Sequence, residues 1–292
     1  MGTLRSRIMS RVALRSQLVF WFLLAAIVPL LVAGYLSYTA IEKQANQSAR
    51  REMITLADST SNTAVTFMQG RCHDILIWSK FRFIKEALDL AEIREEVCDS
   101  LREMVRLSGL YEALVLADAR TGRCVAASRP ELFDADFSAD GVFKQAKAGQ
   151  FEIGSLHQNK MVEQWDKESL GWTLPMAVPV KVQDEVRGVL LAYLRWDGFE
   201  KLFAGTKAGK SGYVFVIDKN DRVIVHPSKK LYGLKTSDPA IKVPQIEEAL
   251  KDKQRSTVYD YNDSQKGKRE TKIAGIAYPD PGGTLQGLDW KV

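Results

Sequence analysis

The longest uncharged segment of the chain constrains its architecture more than any other feature. Residues 16–41 form a run of 26 residues without a formal charge, bounded by Arg15 and Glu42. As a helix rising about 1.5 Å per residue, this run would be about 39 Å long, which exceeds the roughly 30 Å hydrocarbon core of a bilayer. It contains Pro29, which transmembrane helices tolerate. The segment therefore predicts a membrane-spanning helix over residues 16–41.

The charges on either side of this helix predict its orientation. Most of the net charge of +5 comes from four arginines that precede it: Arg5, Arg7, Arg11 and Arg15. Because positive residues concentrate on the cytoplasmic side, we expect residues 1–15 to form a cytoplasmic tail and everything from residue 42 onward to be exported. A cleaved signal peptide is the alternative, but its apolar region would span only about 7–15 residues. The expected location is the inner membrane, single-pass in this segment, with the remainder periplasmic or extracellular.

Composition and motif spacing exclude several classes of protein. Beyond the arginine-rich tail the chain is nearly neutral, which offers no electrostatic footprint for nucleic acid. Three cysteines and three histidines show no metal-binding spacing, so we expect neither a metal nor a cofactor. Cys72 and Cys98 each fit a buried position on an apolar helical stripe, and a bridge between them is the alternative. Residues 205–211 lack the spacing of a phosphate-binding loop, and no pair of catalytic groups indicates an enzyme.

Residues 42–110 have the composition of two helices. In the first, apolar side chains recur at helical spacing at Val65, Met68, Cys72 and Ile75, which predicts one buried face. The second spans about residues 93–107 and is expected to end at Gly109.

Strand signals then occur twice, about 100 residues apart. Residues 113–118 and 124–127 predict a hairpin, and residues 213–218 and 222–226 repeat it, with Asp118 and Asp218 in corresponding positions. Asp221 stands where the first copy has Gly122, a substitution that a left-handed turn position accepts.

Further along, each copy contains a second predicted hairpin. Residues 174–182 and 186–196 form it in the first copy, and residues 272–278 and 288–292 begin its counterpart. The predicted fold class is α+β. One transmembrane helix continues into a long helix, followed by two tandem modules over residues 111–200 and 201–292, each an antiparallel sheet flanked by helices.

A small-molecule pocket in such a module would lie between the sheet and the short helix at residues 141–147, lined by aromatic residues with polar anchors. The first module offers more candidates than the second. They are Phe143, Lys144, Ser155, His157, Trp165, Trp172, Tyr193 and Arg195. Because Tyr193 and Arg195 are two positions apart in a strand, they share one face, opposite Leu194 and Trp196.

Several segments together resemble the double Cache (PAS-like) sensor region of bacterial transmembrane receptors, such as methyl-accepting chemotaxis proteins and sensor histidine kinases. The segments that carry the resemblance are Ile27–Tyr35, Phe143–Gly149, Ala177–Val180 with Gly188–Leu190, Gly209–Asp218 and Val223–Pro227. The resemblance implies a membrane-distal module that binds a small ligand and a membrane-proximal module that relays the signal. It also implies a homodimer, and a second transmembrane helix, a HAMP linker and an output domain beyond residue 292.

The chain departs from the amino-acid-binding members of this family at two places. Those members carry an Arg-x-Trp-Tyr run before the short helix and an Asp on the last distal strand, whereas this chain has Asp140, Val142 and Phe143, and then Tyr193. Two ligand chemistries therefore stay open. Arg195 or Lys144 could hold the carboxylate of an organic acid, or Asp140 with nearby aromatic residues could hold a cationic amine.

The function predicted from the sequence is extracytoplasmic small-molecule sensing by a membrane receptor, first of all a chemoreceptor. A histidine kinase or diguanylate cyclase with the same sensor region is the alternative. An anchored extracytoplasmic enzyme and a structural, partner-binding module are two further classes. The second of these would have a pocket filled by its own side chains.

Overall fold

The structure is a computed structural model that describes residues 3–165, 171–209, 212–241, 243–263, 268–280, 282–285 and 288–292. The chain divides into two compact units, residues 1–52 and residues 53–292. Parts of two segments discussed above, residues 166–170 and 210–211, lie outside the described residues.

The first unit consists of the N-terminal part of helix α1 (Thr3–Trp78), which contains Pro29. Among the described residues, one helix is long and apolar enough to cross a membrane, and it is this one. None of its most apolar stretch is buried. Its large side chains stand exposed from Val19 to Ile41, as lipid-facing residues of a span would. The candidate membrane helix predicted from the uncharged run is therefore present.

The second unit begins with helices, and α1 packs through the apolar face predicted from its sequence. In α1, Met68, Cys72 and Ile75 are fully buried, which confirms the apolar face read from their spacing. Short helix α2 (Arg82–Glu86) and helix α3 (Arg94–Ser108) follow. As predicted, α3 ends at Gly109, which adopts a left-handed φ of 62° and donates its N–H to the carbonyl of Val105.

A six-stranded antiparallel sheet forms the next layer, in the order β2-β1-β6-β5-β3, with β4 also paired to β5. Its strands are β1 (Tyr111–Asp118), β2 (Cys124–Ala127), β3 (Glu152–Ile153), β4 (His157–Gln158), β5 (Trp172–Val182) and β6 (Glu185–Arg195). Helix α4 (Gly141–Lys147) and helix α5 (Lys160–Trp165) lie between β2 and β5 in the chain. The hairpin β5–β6 turns at Gln183 and Asp184, both with positive φ, close to the predicted turn.

The second copy of the strand pattern forms much less sheet than the sequence predicts. After α6 (Trp196–Lys201), the short strands β7 (Val216–Ile217) and β8 (Val223–Val225) pair with each other. Helix α7 (Pro244–Lys251) then leads into the hairpin of β9 (Ser256–Asp263) and β10 (Lys268–Gly275). The chain end forms no strand, but Lys291 bridges to Ile217.

The two hairpin turns correspond as predicted. Asp118 Oδ1 accepts the N–H groups of the turn after β1, and Asp218 Oδ1 does the same after β7. Asp221 has a φ of 58° where Gly122 has 77°. The aspartate thus adopts the left-handed conformation that its place in the repeat requires.

One hydrophobic core joins the two copies within residues 53–292. It includes α1, one face of the six-stranded sheet, and Trp196, Phe199 and Trp290. Trp196 Nε1 donates to the carbonyl of Ile224 at 2.6 Å, linking the end of β6 to β8. The division of this unit into modules at residues 111–200 and 201–292 stays a prediction.

Candidate functional site

Helix α4 covers the face of the six-stranded sheet that lies opposite α1. Its buried residues Val142, Phe143 and Ala146 share a hydrophobic cluster with Leu191 and Tyr193 of β6. The helix begins at Asp140, whose carboxylate accepts the N–H of Val142 at 2.9 Å. This N-cap orients the helix start toward the sheet and brings the acid to the edge of the apolar cluster.

Tyr193 and Asp140 form the polar part of this face. Tyr193 is 7% exposed, and burial raises the pKa of its phenol well above its usual value, with the negative charge of Asp140 adding to the effect. The phenol is therefore neutral at physiological pH. The Asp140 carboxylate accepts the Val142 N–H, and it forms no salt bridge among the described residues.

Arg195 is held by two carboxylates. Its Nε lies 3.6 Å from Glu112 Oε1 and 3.3 Å from Asp197 Oδ1. Asp197 in turn pairs with Lys201 at 3.1 Å. Burial alone would raise the pKa of Asp197, but Lys201 and Arg195 outweigh it and lower the pKa. Since Arg195 already faces acids, a ligand carboxylate would have to compete with them.

Glu112 is a site residue that the sequence reasoning missed. It is 1% exposed and lies at an irregularity in β1, where the register with β6 shifts between Tyr111 and Ala113. Arg129 Nε donates to its backbone carbonyl at 2.8 Å. The sequence did contain a signal for it, because Glu112 is an acid within an otherwise apolar strand. A buried charge requires a partner, so such an acid predicts a nearby cation.

The structure distributes the sequence-predicted residues unevenly. Phe143 and Tyr193 lie together, with Asp140 at the N-cap of the helix that carries Phe143 and Arg195 on the same face of β6 as Tyr193. Three candidates are exposed: Lys144, Ser155 and His157. His157 Nδ1 lies 3.0 Å from the carbonyl of Ser155, and the side chain of Trp165 is outside the described residues.

Trp172 does not join this group. It packs against the core shared with α1, on the opposite face of the sheet, and its ring contacts Tyr232 at a centroid distance of 5.6 Å. The pairing of Thr173 with Arg195 across β5 and β6 explains this placement, because neighbouring residues of a strand point to opposite faces. Trp172 therefore connects the two copies of the fold.

No group of three or more His, Cys, Asp or Glu residues that could hold a metal occurs in the part of the chain that the structure describes. The candidate site offers a buried phenol, a carboxylate available to a cation, an arginine engaged by acids, and apolar walls. Phe143 and Tyr193 are 1% and 7% exposed and pack between α4 and the sheet, so a ligand that binds here must displace side chains.

Comparison with known proteins agrees with this fold. A family model described as Cache domain, of the double Cache type, matches residues 37–292. No curated protein sequence matches the chain.

Solved structures show the same fold at low sequence identity. The ligand-binding domain of the Pseudomonas fluorescens chemoreceptor CtaA, in complex with L-serine, is 15% identical with a TM-score of 0.60, covering 84% of this chain and 96% of that one. The sensory domain of the Campylobacter jejuni chemoreceptor Tlp3 (CcmL) is 14% identical with a TM-score of 0.61, covering 85% and 93%. The extracellular domain of the candidate histidine kinase vpHK1S-Z8 is 14% identical with a TM-score of 0.59, covering 84% and 90%.

Proposed function

Because this chain belongs to the Cache domain family, we propose that it is the extracytoplasmic ligand-sensing region of a transmembrane chemoreceptor of the inner membrane. The family match and the candidate membrane helix support this proposal, and we place the ligand-binding pocket face between α4 and the six-stranded sheet. The likeness to the extracellular domain of vpHK1S-Z8 favours a histidine kinase as the second candidate. Both candidates share the same sensing step.

We infer that the ligand carries a cationic amine. The observation that carries this inference is the charge arrangement: Asp140 caps the helix that packs on Tyr193 and has no salt bridge among the described residues, whereas Arg195 faces Glu112 and Asp197. An ammonium group placed near Asp140 would form a charge-assisted hydrogen bond. Its neighbour Tyr193 would supply an aromatic face for the same cation.

A ligand screen on one conservative variant tests this inference. The full chain in lipid nanodiscs is titrated with primary amines and with the carboxylic acids of matched carbon skeleton, and binding is followed by thermal shift. We expect stabilisation by amines, and a loss of affinity of about tenfold or more in Asp140→Asn, because hydrogen bonds to charged groups contribute about 1.5–3 kcal/mol. Asparagine remains a good N-cap, so α4 keeps its start.

Asp136→Asn is the matched control. Asp136 lies in the same loop and accepts the N–H of Ser138 at 2.8 Å, but it is exposed and belongs to no described part of the pocket face. It should leave amine affinity unchanged. Stabilisation by acids that is lost in Arg195→Ala would contradict the amine inference and favour an organic acid instead.

The proposed signalling step uses the two faces of one sheet. Helix α4 packs on one face through Phe143, and α1 packs on the other through Met68 and Ile75. A ligand that prefers one position of α4 would therefore bias the position of α1, since a ligand shifts an equilibrium only by its differential affinity. We propose that the receptor is a homodimer in which this bias moves symmetry-related helices.

Cysteine cross-linking between the α1 helices of two copies measures this movement. Single cysteines replace exposed residues of α1 beyond Glu42, and the cross-linking rate is compared with and without a stabilising amine. We expect the rates to differ at some positions. Equal rates at every position, with ligand binding shown in the same sample, would contradict the mechanism while leaving the binding proposal intact. Absence of any ligand would favour a structural module.

A further inference from the structure

A cavity lies between the two copies of the fold, away from the α4 face. It has a volume of about 140 Å³. Its lining combines the apolar residues Ile153, Leu174, Ile224, Leu285, Leu288 and Trp290 with the polar residues Glu152, Ser155, Asp218 and Lys219. Ile153 and Leu174 come from strands β3 and β5 of the six-stranded sheet, whereas the other four apolar residues come from the second copy. The cavity thus has one wall from each copy of the fold.

A buried carboxylate lines this cavity. Asp218 is 7% exposed and belongs to the cavity wall. Its Oδ1 accepts the N–H groups of Asn220 and Arg222 at 2.8 and 2.9 Å. Among the described residues, no hydrogen bond or ion pair reaches Oδ2. A ligand that brings a donor to Oδ2 would therefore form a charge-assisted hydrogen bond there.

We propose that this cavity is a second binding site, specific for a short aliphatic primary amine. The ammonium group donates to Asp218 Oδ2, and the alkyl chain packs between Leu174, Ile224 and Trp290. A cavity of about 150 Å³ accommodates benzene, so this cavity takes an amine of roughly five or six non-hydrogen atoms. Because its walls come from both copies, the bound amine stabilises their present arrangement.

The indole of Trp290 reports directly on occupancy. The full chain, which has six tryptophans, is labelled with 5-fluorotryptophan in lipid nanodiscs, and the Trp290 fluorine resonance is assigned by its absence in Trp290→Phe. The probes are n-butylamine and its neutral counterpart n-butanol. We expect a saturable shift of this resonance with n-butylamine, at an affinity about tenfold or more above that of n-butanol.

Two aspartates in equivalent turns make a matched pair of variants. Asp218→Asn should remove the preference for the amine. Asp118→Asn should keep it, because Asp118 accepts the same kind of turn hydrogen bonds but lies outside the cavity. Asp140→Asn should also keep it, so that the outcome here is separate from that at the α4 face.

A cavity-filling variant provides a second test that does not depend on whether Asp218→Asn folds correctly. Ile153 is half-buried at the cavity wall, and Ile153→Phe should abolish the Trp290 shift while circular dichroism stays unchanged. Three results would overturn the proposal: no shift of the Trp290 resonance, an equal response to n-butanol, or retention of the amine preference in Asp218→Asn. The first would show that n-butylamine does not bind in the cavity.

Discussion

Replacing Gly275 with alanine tests how closely the β9–β10 hairpin packs on α1. A Cβ at this position would lie 2.2 Å from the Met53 carbonyl oxygen and 2.7 Å from the Ile54 nitrogen. Ordinary contacts begin near 3.4 Å, so the hairpin or the helix would have to move by about 1.2 Å, the difference between 3.4 and 2.2 Å. Both obstacles are backbone atoms of a helix, which cannot rotate away.

A neighbouring ion pair resists this movement. Arg255 Nη2 lies 2.5 and 2.6 Å from the two carboxylate oxygens of Asp58 in α1, and Arg255 Nε donates to the carbonyl of Ile276 at 3.0 Å. Overpacking of this kind costs roughly 1–3 kcal/mol. At about 2–4 °C per kcal/mol for a unit of this size, Gly275→Ala should lower the melting temperature by about 2–12 °C.

Tryptophan fluorescence during thermal unfolding of the full chain in nanodiscs measures this change. Gly70→Ala is the matched control, because Gly70 lies inside α1 and a Cβ added there would have nothing within 4 Å. Alanine there should stabilise by about 0.5–1 kcal/mol. A Gly275→Ala variant as stable as the wild type would refute the reasoning, since it would show that the hairpin does not press on α1.

Three further predictions concern single side chains. Burial lowers the pKa of His226, so on acidification the unfolded state takes up a proton before the folded state does. The unfolding free energy should therefore fall as the pH drops below about 6.5. Urea titrations at neutral and mildly acidic pH check this, and His226→Asn should flatten the pH dependence. Burial raises the pKa of Cys72 and of Cys124 to about 12, so only about one thiol in ten thousand is ionised at pH 8. After treatment with an alkylating reagent, mass spectrometry should find both cysteines unmodified in the native chain but alkylated in urea. Trp196→Phe removes the hydrogen bond to the Ile224 carbonyl. It should lower the unfolding free energy by about 1–3 kcal/mol and with it the urea midpoint. An unchanged midpoint would contradict the role of Trp196 in joining the two copies.

Local patterns accounted for most of the fold because they depend on near neighbours in the chain. The spacing of Met68, Cys72 and Ile75 predicted a buried helix face, and Gly109 predicted the end of α3. Alternation along β6 placed Tyr193 opposite Leu194, as the two hydrophobic clusters confirm. The first hairpin of the second copy is shorter than its sequence implies, since β7 has only two residues and β8 three, and strand length depends on available pairing partners.

The candidate site was harder to predict, because its members meet through register and packing. Trp172 was expected beside Tyr193, but the pairing of β5 with β6 directs it to the other face, against Tyr232. Glu112 was missed because the irregularity in β1 that places it beside Arg195 has no local sequence mark. The period of a strand shows which residues share a face, but it does not show which layer covers that face.

The sequence by itself determined the candidate membrane helix, the buried stripe of α1, the repeated hairpins and the family resemblance, because each rests on charge, periodicity or turn chemistry within a short stretch of chain. Only the tertiary structure decided that Arg195 is engaged by Glu112 and Asp197 while Asp140 caps the helix that packs on Tyr193. It also decided that Asp218 lines a cavity between the two copies. Electrostatic partners are set by distances across the fold, and those distances depend on how distant segments pack together.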